Sequence, residues 1–154
     1  MNIRDVSGDL LEQRVDVIVN PWNRGLIPWW LLLPQGVSGA IKRKAGSSVF
    51  RELARYGSIP LGQARLTSAG NLDYKGIIHV AGINACWIAT RYSISQSVRS
   101  SVELAEGQGF TSMAFPLIGA GAGNRGRKFS REIMLETFAT IESQIEITLV
   151  TYNG

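Results

Sequence analysis

The sequence predicts an α/β protein: a three-layer α/β/α arrangement around a central mixed, largely parallel sheet. Three observations predict it. Short apolar runs at Val15–Asn20, Gly76–Gly82, Met113–Ile118 and Ile145–Tyr152 have the length and β-branched content of buried strands. Stretches with apolar residues at steps of three and four separate several of them. That alternation makes helical crossovers, and so parallel neighbours, the expected connection. The third observation is the run from Met113 to Phe129, MAFPLIGAGAGNRGRKF, where an apolar strand breaks into glycines and restarts as a helical pattern from Ser130. A backbone of that kind exposes unpaired N–H groups and can approach a ligand closely. It is a natural cradle for phosphate.

Taken in order, residues 2–6 read as a short edge strand and Ser7-Gly8-Asp9 as a turn. Leu10 to Gln13 fits one turn of helix, for which Asp9 can serve as N-cap. Val15–Asn20 is a strand covered on both faces, and Pro21 stops its ladder. Asn20 and Asn23 then follow the strand end, where open α/β sheets collect ligand groups. Arg24 to Gln35 fits no period: it holds two prolines, adjacent Trp29 and Trp30, and three consecutive leucines. Gly36 opens a helix, with Ser38 as expected cap and Ile41, Ala45, Val49 and Leu53 on one face. Gly46 divides that helix, with Ser47 as second cap.

Residues 55–62 read as loop, Ala64 to Ser68 as a half-buried strand, and Gly70 to Asp73 as a turn. Gly76–Gly82 is the second buried strand, with His79 inside it as a satisfied core residue. Residues 82–87 are loop. Ile94, Val98, Val102 and Ala105 define a helix over Ala89 to Glu106 that ends at Gly107. Ser130 is expected to cap the last helix, with Met134, Phe138 and Ile141 inward, before the closing strand.

Composition bounds the function. At 154 residues the chain is expected to form a single domain spanning residues 1–154, long enough for its own core. A hydrophobic content of 45% against 18% charged residues is that of a globular chain. The net charge of +4 is mild, and Lys42-Arg43-Lys44 is the dense basic cluster, so nucleic acid is not the expected partner. One cysteine, Cys86, allows no internal disulfide and suits a reducing compartment. One histidine without a Cys or His tract gives no metal site, and no cofactor is expected. The charged N-terminus lacks the apolar core of a secretory signal, and Leu26 to Pro34 is too short to span a bilayer, so a cytoplasmic protein without a membrane partner is expected.

Five stretches together resemble a macro domain, the ADP-ribose-binding or Appr-1''-p processing family. Gly8-Asp9-Leu10 resembles its opening Gly-Asp-Ile, and VDVIVNPWN from Val15 resembles VDAIVNAAN. GVSGAIKRKAG from Gly36 resembles GVDGAIHRAAG, and IIHVAG from Ile77 resembles VIHTVG. FPLIGAGAG from Phe115 resembles the second ligand loop, FPxIxxGxxG. The family order is kept over nearly the whole chain.

The resemblance implies an α/β/α macro fold and binding of ADP-ribose or of an ADP-ribosylated protein. It implies that Asp9 accepts a hydrogen bond from the adenine amino group and that Leu10 adds a backbone contact. Asn23 would bind the distal ribose, with Asn20 holding the loop. Val37, Ser38 and Gly39, together with Gly119, Ala120, Gly121, Ala122, Gly123 and Asn124, would wrap the diphosphate with backbone N–H groups. Tyr152 would lie against the adenine face; it could equally end the sheet against the core.

Two departures bear on chemistry. The hydrolase branch of the family has an aspartate where this chain has Ser38, and a serine is no general base near neutral pH without a partner. Lys42 stands where the family histidine would be, and residues 119–126 contain no acid. Asn23, Ser38 and Lys42 are therefore the catalytic candidates, in a set that is incomplete by the family template. The second departure is the first ligand loop: the bulky Arg24–Gln35 segment replaces a shorter glycine-rich one, and Trp29 and Trp30 are candidates for a lid. The expectations are thus a recognition module for ADP-ribose, an enzyme hydrolysing an ADP-ribosyl or O-acetyl-ADP-ribose ester, or an interaction module for protein or nucleic acid that kept the fold. The pI of about 9.6 and the apolar loop motivate the last.

Overall fold

A computed structural model describes residues 1–22, 36–82, 89–120 and 126–152. Its strands are β1 (Asn2–Ser7), β2 (Val17–Pro21), β3 (Ala64–Thr67), β4 (Gly76–Val80), β5 (Ser112–Pro116) and β6 (Glu146–Thr151). Its helices are α1 (Gly36–Ala45), α2 (Ser48–Ala54), α3 (Arg91–Gly107) and α4 (Arg127–Ala139), with a 3-10 turn at Leu10–Glu12. The six strands form one sheet in the order β1-β6-β5-β2-β4-β3. Every pairing is parallel except β3 with β4, so the sheet is mixed and largely parallel, as the alternation of elements predicts.

The two-residue period of the strands sorts the core into two layers. Val17, Val19, Ile78, Val80, Met113, Phe115, Ile147 and Leu149 face one side, against Ile94, Val98 and Val102 of α3 and Ile133, Met134 and Phe138 of α4. Phe115 and Phe138 meet edge to face there, 5.2 Å between ring centres. Ile18, Ile77, Ala114 and Val150 face the other side, against Ile41 and Ala45 of α1 and Val49, Phe50 and Leu53 of α2. Covering on both faces explains why β2 and β4 read as continuous apolar runs.

Local details differ from the sequence reading at three helix ends. Ser38 is not a cap: α1 already begins at Gly36, and the Ser38 hydroxyl leaves the helix to bond β2. Ser130 is not a cap either: α4 begins at Arg127 behind Gly126, and Ser130 is buried, donating to the Ile118 carbonyl at 2.5 Å. Helix α3 ends at Gly107 as expected but starts at Arg91 rather than Ala89, and the turn beyond its end runs through Gly109. Gly109 takes φ of +76°, and the Phe110 and Gly109 N–H groups close onto the carbonyls of Ala105 and Glu106. The start of α3 carries a capping box between Thr90 and Ser93. The division of α1 from α2 at Gly46, φ +92°, is as expected; Ser47 precedes α2 without a capping side-chain bond.

Candidate functional site

The strand order fixes where a ligand can sit. From β2 the chain runs outward to β4 and β3; from β5 it runs the opposite way to β6. The carboxyl ends of β2 and β5 therefore flank a topological switch point, where open α/β sheets hold their ligands. Because β1, β6, β5, β2 and β4 are mutually parallel, the residues that follow each of them lie at one sheet edge. Asp9 follows β1, Tyr152 follows β6, Gly119 and Ala120 follow β5, and Asn20 stands at the end of β2. At about 4.8 Å per strand, the Asp9 turn and the Gly119 turn are roughly 10 Å apart across β6.

Asp9 caps the 3-10 turn, its Oδ1 accepting from the Leu11 N–H at 2.9 Å. Among the described residues nothing donates to its second oxygen. The turn is held from outside the sheet. The Tyr74 hydroxyl donates to the Gln13 carbonyl at 2.9 Å and lies 3.3 Å from that of Leu10. Burial pushes this phenol up to about 12, with the charges of Asp9 and Asp73 adding to the rise. Leu10 itself is buried in the α1/α2 layer. Tyr152 is 63% exposed, which removes it from the core, and it follows β6 at the same sheet edge.

On the β5 side, Ile118 is anchored to α4 twice, through Ser130 and through its own N–H on the Met134 sulfur at 3.4 Å. Gly119 then takes φ of +83° in a buried position. Glycine is required there by conformation and by space. On the β2 side, Asn20 is wholly buried, and its amide is bonded at both ends. Its Oδ1 accepts from the Ser38 hydroxyl at 2.8 Å, and its Nδ2 meets His79 Nδ1 at 3.0 Å. Ser38 also approaches the Pro21 carbonyl at 3.4 Å. These bonds draw the first turn of α1 against the end of β2. There the N–H groups of Gly36, Val37, Ser38 and Gly39 have no partner four residues back within the helix. Lys42 lies one turn further along, half-buried.

Asn23, Trp29, Trp30, Gly121, Ala122, Gly123, Asn124 and Cys86 lie outside the described residues. The structure thus brings Asp9, Leu10, Asn20, Val37, Ser38, Gly39, Gly119, Ala120 and Tyr152 to one edge. His79 is the satisfied core residue that the sequence predicts, buried with both ring nitrogens bonded. Three supporting groups carry no motif in the sequence: Tyr74, Thr67 and Trp22. The Trp22 ring meets Phe50 at a tilt of 50°, 5.2 Å between ring centres, and its indole N–H is buried without a partner among the described residues. Chemically, the edge offers backbone donors and a carboxylate. Ser38 has an amide beside it rather than a base. Among the described residues no group of His, Cys, Asp and Glu could hold a metal, and no helix is long and apolar enough to cross a membrane.

A parallel-rich α/β/α sheet with a glycine turn and a helix start facing its switch point defines the macro domain class. Residues 19–134 match the family described as "Macro domain", and the chain belongs to it. It is 38% identical over 145 residues to a macro domain-containing protein of Listeria monocytogenes, covering 89% of this chain and 78% of that one. A protein of Citrobacter koseri named O-acetyl-ADP-ribose deacetylase is 35% identical, covering 86% and 75% respectively. Among solved structures, a mutant of the Oceanobacillus iheyensis macrodomain with ADPR superposes with a TM-score of 0.81 at 25% identity, covering 96% of this chain and 83% of that one.

Proposed function

We propose that this chain binds ADP-ribose, free or attached to protein, along the carboxyl edge of its sheet. One observation carries this: the Asp9 turn and the Gly119 turn share that edge, with the switch point beside them. Backbone N–H groups of residues 37–39 and 119–124 take the diphosphate, and Asn23 takes the distal ribose. The free oxygen of Asp9 accepts from the adenine amino group while the other keeps its cap, so the two roles of Asp9 do not compete. Tyr152 lies against the adenine. The macrodomain relative with ADPR supports the ligand class.

Asp9→Asn tests the proposal. Asn can still cap Leu11, but its amide then presents a donor toward the adenine amino group, itself a donor. Calorimetry against ADP-ribose, AMP, NAD and a short RNA is expected to show tight ADP-ribose binding that falls at least about tenfold in the variant, with thermal stability kept. A wild-type protein that prefers RNA, or that ignores ADP-ribose, overturns it.

Hydrolysis of an O-acetyl-ADP-ribose ester is a second activity that we weigh, because a relative bears that name. Among the described residues the Ser38 hydroxyl is bonded to an amide rather than to a base that would activate water. Acetate release from O-acetyl-ADP-ribose separates the two: binding without turnover leaves a recognition module.

A further inference from the structure

The polar chain behind Ser38 has a direction. Asn20 and His79 are register partners on parallel β2 and β4, so their side chains share the sheet face beneath α1 and α2. With Asn20 Nδ2 donating to His79 Nδ1 at 3.0 Å, Nδ1 carries no hydrogen. The ring hydrogen then sits on Nε2 and is donated to Thr67 Oγ1 at 2.8 Å. Thr67 spends its own hydrogen on the Ser68 carbonyl at 2.9 Å. At the other end, Asn20 turns its oxygen to Ser38, whose hydroxyl donates at 2.8 Å. The bonds thus run one way, from Ser38 through Asn20, His79 and Thr67 to a main-chain carbonyl. Reversal would cost the Ser68 carbonyl its hydrogen bond from Thr67.

We propose that this relay fixes Ser38 as a hydrogen-bond acceptor toward the ligand, so that the site selects a sugar hydroxyl there. The identity of that ligand rests on the ADP-ribose proposal; the direction of the relay does not. Ser38 is half-buried in the first turn of α1, and its hydrogen is held inward on Asn20. With that hydrogen committed, lone pairs are what its oxygen retains for a ligand. An amide oxygen is too weak a base to take the serine proton, so Ser38 is no nucleophile. His79 and Thr67 are positioning residues that act through Asn20. Burial supports this by keeping the imidazole neutral, its pKa pushed down to about 3.

The relay makes a sharp forecast for an acid at position 38. A carboxylate has no hydrogen to give Asn20 Oδ1, and two acceptors would face each other. The amide must turn over, placing Nδ2 on the acid and Oδ1 on His79. His79 Nδ1 must then take the ring hydrogen, and Nε2 becomes the acceptor for Thr67.

The chain has one histidine, so ¹⁵N-labelled imidazole gives a single pair of ring nitrogens whose tautomer is read by long-range ¹H–¹⁵N correlation. The expected result is Nε2–H in the native protein and in Ser38→Ala, and Nδ1–H in Ser38→Asp. Nδ1–H in the native protein overturns the relay, a measurement that needs no variant to fold. An unchanged tautomer in folded Ser38→Asp overturns it too. Calorimetry reads the ligand half. Ser38→Ala is expected to lose affinity for ADP-ribose about tenfold and to leave ADP, which lacks the second sugar, within about twofold; Ser38→Thr is expected to keep the affinity. Equal losses for both ligands, or none, overturn the acceptor role. A native protein that binds neither overturns the ADP-ribose proposal and the ligand half with it, while the tautomer still decides the relay.

Discussion

A β-carbon built on Gly119 would lie 2.5 Å from the β-carbon of Ala89. Carbon atoms do not approach so closely, and φ at Gly119 is +83°, where a side chain is strained even in open space. Ala89 is fully buried in the layer with Ile94 and Ile118, so it has little room to withdraw. Gly119→Ala is therefore expected to cost about 1–3 kcal/mol of stability and to lower ADP-ribose affinity by at least about tenfold. Urea unfolding and calorimetry check the two. Ala89→Gly in the same chain removes the clash but not the strain, and is expected to recover only part of the loss.

Tyr74 reaches the adenine end of the proposed site from the far side of the turn. Its hydroxyl holds the Gln13 and Leu10 carbonyls that close the residues after Asp9. Tyr74→Phe removes those bonds and little volume. A stability loss of about 1 kcal/mol is expected, with ADP-ribose affinity down about three- to tenfold. Ribose 5-phosphate, which has no adenine, is the control ligand: its affinity is expected to stay unchanged. An equal loss for both ligands would show that Tyr74 acts on the whole edge rather than on Asp9.

His79 ties stability to pH in a window of its own. Burial lowers its pKa from 6.5 to about 3. Between those values the unfolded chain binds a proton that the folded chain refuses. The stabilisation is thus complete above about pH 6.5 and falls as pH drops, by up to about 1.4 kcal/mol per unit. His79 is the sole histidine, so a slope between about pH 6 and pH 5 is expected to belong to it. Chemical denaturation at two pH values is expected to show the slope in the native protein. His79→Gln, weaker at neutral pH, is expected to lack it.

How much of this was legible in the sequence depended on how local each signal is. The buried strands β2 and β4 were plain, because two covered faces demand unbroken apolar runs. The cap role of Asp9 was readable as an alternative to its ligand role, because its partner Leu11 is two residues away. The start of α4 was hidden: Gly126 caps without a side chain, so the first apparent cap was Ser130. The relay was out of reach. Ser38, Asn20, His79 and Thr67 come from a helix and three strands, and only the register of β2 on β4 puts Asn20 opposite His79. A sequence shows that a strand is buried; it does not show which residue of another strand stands beside it.

Asp16 provides the counterpart to these site variants, at the opposite edge of the sheet. It precedes β2, and its carboxylate accepts from the N–H of Thr111 at 2.8 Å and from its hydroxyl at 3.1 Å, just before β5. Its own N–H donates to Ser112 Oγ at 2.9 Å, and its carbonyl accepts from the Lys75 N–H at 2.7 Å. The starts of β2, β4 and β5 are thus stitched by one residue. The Thr111 N–H holds the Asp16 carboxyl below its ordinary 3.8, against burial, with the Thr111 hydroxyl and Lys75 helping. A depressed carboxylate stabilises fully above the unfolded value and loses that contribution as pH falls through the folded one. Asp16→Ala is expected to cost about 1–3 kcal/mol at neutral pH, with the charge-dependent share of the loss fading once pH falls below the ordinary 3.8, at the acid end of the His79 window. Lys75→Ala is expected to cost under about 0.5 kcal/mol, since that ammonium is 66% exposed and 3.4 Å from the acid. Neither change should move ADP-ribose affinity beyond about twofold, because both lie at the amino ends of the strands; a larger shift would mean that the two edges of the sheet are coupled.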